Sequence, residues 1–314
     1  MVKFYPVRYA DKEYPPDIKP KIQEVPANFF RQTLQRTELR YLSLHTDPGH
    51  RWERDKILSV ELLSEFPTIR NKMFDLGNYC VSQLWFNEEW SMEFSGFLVR
   101  MAEGIDRQRI RVIEIHPPFD TYCDSLETFL DTYAVFEDEV LKEFPSAIIN
   151  IENRCNPAPK SKGGKFILST NKDIIKLSDL ISKKNRKLRI VVDIPQLFTA
   201  HYKRKLLSEV MIREALAPLR DIRDFVSSTH IWGSGEPQSR GNNITKQIGA
   251  PHSGDFDTYF DKDKNVKDCF LHEICKLFDD GKARYFVPEV NKTSYVQSIV
   301  SDLRNAGVEF VEPE

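Results

Sequence analysis

Arg111-Val-Ile-Glu-Ile-His116, Ala147-Ile-Ile-Asn-Ile-Glu152, Leu188-Arg-Ile-Val-Val-Asp193, Ser227-Ser-Thr-His230 and Arg284-Tyr-Phe-Val-Pro-Glu289 share one design. Each is a short run, mostly β-branched or apolar, that closes on a side chain able to bind a metal, and turn formers such as Pro or Asn follow most of them. Such runs read as buried strands. The first four endpoints, at 116, 152, 193 and 230, are separated by steps of 36, 41 and 37 positions. That step accommodates a loop, a helix, a second loop and the next strand, which is one βα unit. If the strands are parallel, their C-terminal ends open on one face, where His116, Glu152, Asp193, His230 and Glu289 would converge.

The remainder of the chain extends the same alternation. Further strands are expected at Lys3 to Val7, Arg40 to Leu44 and Tyr79 to Trp85, which makes eight with the five above. Helices are expected at 29–36, 56–76, 92–104, 125–144, 171–183, 203–219, 266–279 and 293–306. Caps are expected at Ser125, at Thr170 or Asn171, and at Thr293 or Ser294, with a stop at Gly307 before a last strand at 308–311. The expected fold is α/β, a single (β/α)8 TIM barrel over residues 1–314. An irregular excursion at 11–26 and a long seventh βα loop at 233–257 interrupt it. A doubly wound nucleotide-binding sheet would carry a Gly-rich phosphate loop after its first strand, and neither G-x-G-x-x-G nor a Walker pattern occurs.

Composition narrows the setting. The 314 residues carry a formal charge of −2, are 40% hydrophobic and 29% charged, and hold 5 cysteines. An odd number of cysteines with no C-x-x-C pair argues against a disulfide framework or a cysteine zinc site, so they are expected as thiols in or near the core. No apolar run approaches a membrane span, and the N-terminus lacks signal-peptide features, so a cytoplasmic protein is expected with no membrane role. Two cationic stretches fall after strand ends: Arg154, Lys160, Lys162 and Lys165 after Glu152, and Lys203, Arg204 and Lys205 after Asp193. With Arg240 in the seventh loop, they form an expected rim for DNA or a phosphorylated substrate.

Glu152, Asp193, His230 and Glu289 offer three carboxylates and one imidazole. This oxygen-rich set suits Mn²⁺, Mg²⁺ or Co²⁺ and also holds Zn²⁺. His116 is expected to hold a second ion that Glu152 bridges or to contact substrate, and His252 in the seventh loop reads equally as reaching the same site or as a surface histidine. His45 follows a strand and faces the same end, whereas His272 reads as structural. Tyr41, Trp85, Phe86, Trp90 and Trp232 read equally as mouth or core.

At these residues the chain resembles the xylose isomerase-like barrel superfamily, which includes apurinic endonucleases of endonuclease IV type and sugar isomerases and epimerases. His116-Pro117-Pro118 is similar to the H-P-G element, Ile151-Glu152-Asn153 to the buried E-N, and Val192-Asp193-Ile-Pro-Gln196-Leu-Phe-Thr-Ala to the endonuclease D-x-x-H-x-F-A-A segment. Thr229-His230-Ile-Trp232, Pro251-His252-Ser-Gly-Asp255-Phe-Asp257 and Val287-Pro288-Glu289 resemble the later strand ends. The resemblance implies one or two divalent ions, with Glu152, Glu289 and His116 in catalysis and Gln196 at the substrate. It also implies histidines at Gln196 and near Ser82-Gln83-Leu84, and an aspartate at Ala250. A trinuclear zinc site is therefore incomplete. Two activities follow: metal-dependent phosphodiester cleavage, with DNA as the leading substrate, or metal-dependent sugar isomerisation or epimerisation. A catalytically silent binding barrel is the third expectation.

Overall fold

In a computed structural model, the chain folds as a closed parallel (β/α)8 barrel. The structure describes residues 1–26, 37–46, 52–53, 64–75, 79–155, 164–236, 238–239, 246–249 and 251–313. The barrel strands are β1 (Lys3–Arg8), β2 (Ile22–Pro26), β3 (Tyr41–His45), β4 (Ile110–Ile115), β5 (Ile148–Glu152), β6 (Arg189–Asp193), β7 (Val226–Ile231) and β8 (Ala283–Pro288). Most are buried along nearly their whole length, as expected where helices cover a parallel sheet.

The chain divides into two compact units. The first comprises Met1–Glu24, Thr170–Ile175 and Ile190–Glu314, and the second comprises Val25–Ser169 and Lys176–Arg189. In the first unit, β1 pairs in parallel with both β8 and β2, and β7 pairs with β8 and β6, so that His230 stands level with Asp193. A short ninth strand, β9 (Glu309–Phe310), joins the other side of β1. Phe4 packs there against Phe278, Phe286 and Phe310. In the second unit, β4 pairs with β3 and β5. Outside its barrel strands lies a three-stranded antiparallel sheet of Trp52–Glu53, Met73–Asp75 and Tyr79–Ser82.

Two expectations about strands are corrected here. Tyr79–Ser82 is not a barrel strand. Its apolar and β-branched residues pair antiparallel with Met73–Asp75, which also ends the helix expected over 56–76. The second barrel strand lies instead at Ile22–Pro26, within the stretch read as irregular. Its pattern was obscured because Gln23 and Glu24 are buried polar residues. Gln23 satisfies its amide by donating to the carbonyls of Arg8, Ala10 and Glu24 while accepting from Arg8 Nε.

The helices follow their caps. Ser125 accepts from Thr128 N at 3.1 Å and opens Leu126–Glu143, and Thr170 exchanges backbone and hydroxyl bonds with Asp173 at the start of Asn171–Lys183. Such caps contribute about 1 kcal/mol each. At the other end, Thr293–Asn305 stops in a Schellman turn: Gly307 sits at φ +95, with Gly307 N on Arg304 O and Val308 N on Leu303 O. The N-cap of that helix is Lys292, with no side-chain cap bond, rather than Thr293 or Ser294.

The helix expected over 203–219 is shorter, Glu209–Leu216, and an unforeseen helix precedes it. Ile194–Tyr202 begins directly at Asp193, whose carboxylate accepts from Gln196 N, with Pro195 in the first turn where its missing N–H costs nothing. It ends where Lys203 adopts φ +61, and Ser208 caps a new helix at Glu209–Leu216. The expected helix at 29–36 lies outside the described residues. Cys123 and Cys269 are buried and Cys155 and Cys275 are partly so; burial pushes the Cys123 thiol up to about 11. Among the described residues, no helix is long and apolar enough to cross a membrane.

Candidate metal centre

The second unit gathers four buried donors at or near its strand ends: His45, Glu114, His116 and Glu152, with ligand atoms within 4.8 Å of one another. β3 ends on His45 and β5 on Glu152, while His116 immediately follows β4. Glu114 and His116 are two residues apart on that strand and so point the same way. His116 Nε2 lies 2.5 Å from Glu152 Oε2 and 3.0 Å from His45 Nε2, and His45 Nε2 lies 3.9 Å from Glu152 Oε2 and 3.7 Å from Glu114 Oε1.

Two imidazole nitrogens and a carboxylate oxygen cannot all aim lone pairs at one point without a proton or a cation between them. Donors about 2.0 Å from a tetrahedral ion would sit about 3.3 Å apart, so the observed spacings suit a divalent ion after small rotations. Nitrogen and oxygen donors of this kind fit Zn²⁺ or Mn²⁺. Neighbours hold the set in place. Thr46 Oγ1 donates to Glu114 O at 2.7 Å, Trp85 Nε1 donates to His116 O at 2.7 Å, and Arg154 Nη1 lies 3.2 Å from Glu152 Oε2.

His45 is the residue that the sequence reading undervalued. The third barrel strand is Tyr41–His45, so the histidine sought near Ser82-Gln83-Leu84 stands at position 45. The missing signal was strand order. Tyr79–Trp85 reads as a strand as readily as Tyr-Leu-Ser-Leu-His, so the latter counted as the second strand and not the third.

The first unit assembles Asp193, His230 and Glu289. Asp193 and His230 present ligand atoms within 4.8 Å of each other, and His230 Nδ1 lies 3.4 Å from Glu289 Oε1. Glu24 of β2, another residue not foreseen, brings its carboxylate within 4.8 Å of that of Glu289. Three of the quartet's four members thus lie in this unit. Glu152, the fourth, ends β5 in the other unit and pairs with His116 there.

His252 adopts φ +57 and presents Nδ1 to Glu289 O at 2.8 Å. The loop that carries it is seated by backbone-to-backbone packing. A Cβ on Gly254 would meet Ser234 O at 1.9 Å, and one on Gly233 would meet Asp255 backbone at 2.3 Å. Within the seventh loop, Gln238–Ser239 pairs antiparallel with Lys246–Gln247.

The expected substrate residues are scattered. Gln196 is buried one turn into the helix that Asp193 caps. Arg154 turns onto Glu152 and is not extended as part of a rim. Lys165, Lys203 and Lys205 are exposed and Arg204 is half-buried. Lys160, Lys162 and Arg240 lie outside the described residues, as does Ala250. His201 accepts from Asn171 N, and burial holds its pKa below the usual imidazole range. Tyr41, Trp85, Trp90 and Trp232 are core residues. A cavity of about 700 Å³ in the first unit, lined by Lys267, His272, Cys275 and Asp302 among others, contains none of the strand-end donors.

No protein-family model matches the chain, and no curated protein matches it in sequence. Solved structures do. A D-tagatose 3-epimerase-like protein is similar at TM-score 0.44 with 12% identity, covering 91% of this chain and 89% of that one. The structure of AsfvAP:AG is similar at TM-score 0.46 with 11% identity, over 97% and 98%. A xylose isomerase domain protein from Planctomyces limnophilus is similar at TM-score 0.40 with 12% identity, over 93% and 98%.

Proposed function

We propose that the protein is a divalent-metal-dependent enzyme that hydrolyses a phosphate ester, with DNA as the leading substrate. The observation that carries this reading is the buried cluster of His45, Glu114, His116 and Glu152. With two imidazoles and two carboxylates, it adds more donors than the single ion of isomerisation requires. Divalent ions bound there would supply Lewis-acid stabilisation of phosphoryl charge and a water acidic enough to attack near neutral pH. In this reading Glu114 and Glu152 keep the cluster anionic enough to hold an ion, and His116 supplies a nitrogen donor. Arg154, beside Glu152, offers guanidinium donors to a phosphoryl oxygen, and the exposed Lys165, Lys203 and Lys205 attract the polyanion.

Incubation with Mn²⁺, Mg²⁺ or Zn²⁺ and abasic, ultraviolet-damaged or plain DNA tests the proposal. Cleavage that Glu289→Gln and Glu152→Gln abolish is expected.

The second reading is metal-dependent isomerisation or epimerisation of a sugar or sugar phosphate. Asp193 and Glu289 beside His230, with Glu24 next to Glu289, favour it, because an oxygen-rich set of this kind holds a hard ion against substrate hydroxyls and leaves a carboxylate to carry a proton. Turnover of a ketose or its phosphate, with every DNA left intact, would replace the first reading with the second.

A further inference from the structure

Trp232 follows β7 directly and is buried, and its two sides do different work. Its indole Nε1 donates to Asp193 Oδ2 at 2.9 Å. Its ring lies against the imidazole of His252, with centroids 4.2 Å apart and planes tilted by 33°. Asp193 Oδ1 meanwhile accepts from Gln196 N at 2.8 Å, so both carboxylate oxygens are held by a fixed donor. His252 in turn presents Nδ1 to the carbonyl of Glu289. One side chain therefore connects Asp193 with the loop that packs on Glu289.

The anchoring of the indole is specific. Tyr259 lies edge-on at 6.3 Å and hydrogen-bonds Ser234, two residues after Trp232. Thr258 Oγ1 donates to Ser234 O at 2.8 Å, and Ser234 and Pro251 form an antiparallel bridge. The segment after β7 and the segment around His252 are thus joined along their backbones, and the indole has little freedom to swing away.

We propose that Trp232 is a positioning residue that sets the affinity of the Asp193, His230 and Glu289 set for a divalent ion. It orients the Asp193 carboxylate through its N–H and docks His252 through its ring. Hydrogen bonds to a ligating carboxylate from such partners govern metal affinity by about 10- to 100-fold. The inference rests on the metal reading proposed above.

The test is Co²⁺ titration of the full chain after chelation, followed by visible absorption, in wild type, Asp193→Asn, His45→Ala and Trp232→Phe. Trp232→Phe keeps a ring against His252 and removes the donor. A second variant with benzothienylalanine at 232 keeps the indole shape without the N–H, and circular dichroism checks the fold of each. The Asp193-dependent phase should weaken by about 10- to 100-fold in both Trp232 variants with an altered visible spectrum, while the His45-dependent phase stays as in wild type. An unchanged Asp193-dependent phase in folded variants would overturn the role of Trp232 and leave the metal reading standing. Wild type that takes up no Co²⁺ would overturn both.

Discussion

The two units present metal-binding chemistry at strand ends in different ways. In the second unit, two imidazoles and two carboxylates meet at short range, with His116 Nε2 between Glu152 and His45, and aromatic packing fixes the surroundings. In the first unit, Asp193 and Glu289 flank a single imidazole with Glu24 beside Glu289, and a backbone N–H and an indole N–H fix Asp193. The nitrogen-rich set favours borderline ions such as Zn²⁺, while the oxygen-rich set favours harder ones such as Mn²⁺ or Mg²⁺. The same side-chain vocabulary thus offers two donor chemistries, depending on which residues each strand end supplies.

Packing in the second unit gives the largest expected effect. Trp85, which holds His116 O, sits at φ +61 among Trp90, Phe94, Phe129, Tyr133 and Phe136. Phe136→Ala leaves a cavity at the centre of that group and should cost about 3–5 kcal/mol in urea unfolding. It should weaken the His45-dependent metal phase and spare the Asp193-dependent one. Equal weakening of both phases would break the distinction between the units.

A smaller effect separates the units by pH. In the first unit, the bidentate Arg284 guanidinium holds the Asp280 carboxyl down at about 2. The folded value lies below the unfolded one, so the stabilisation is fully present above about pH 4 and disappears as pH falls toward 2. It amounts to about 2 kcal/mol. Asp280→Asn should remove it and flatten the acid limb of stability between those pH values. An acid limb identical to wild type would refute the assignment.

The smallest effect is a cap. Ser125→Ala should cost about 1 kcal/mol in the second unit, with metal binding unchanged in both phases. A loss below a few tenths would mean that Asp124, which accepts from Thr128 Oγ1, takes over the helix start.

Much of this architecture was legible because parallel strands are buried on both faces and read as plain apolar runs. Arg189–Asp193 is an example, while the helix Asn171–Lys183 was legible from its cap and its amphipathic spacing. The (β/α)8 class followed from the recurring strand ends. What was not legible depended on long-range pairing. Ile22–Pro26 carries Gln and Glu inward and so lacks an apolar signature, while Tyr79–Ser82 has that signature and pairs elsewhere. Misplacing those two strands moved His45 out of the third position and hid half of the imidazole pair. Glu24 was lost with β2. Asp193 is a helix cap as well as a candidate ligand, and only the second role was legible because no helix was expected over Ile194–Tyr202.

The most direct test of the central claim is the divalent-metal stoichiometry of the whole protein, measured by calorimetric titration with Zn²⁺ and Mn²⁺ and checked by elemental analysis, in wild type and His45→Ala. If His45, His116 and Glu152 hold an ion of their own, wild type should bind one more equivalent than His45→Ala, and the phase lost on Asp193→Asn should persist in the His45 variant. Equal stoichiometry and affinity in wild type and a folded His45→Ala would contradict it.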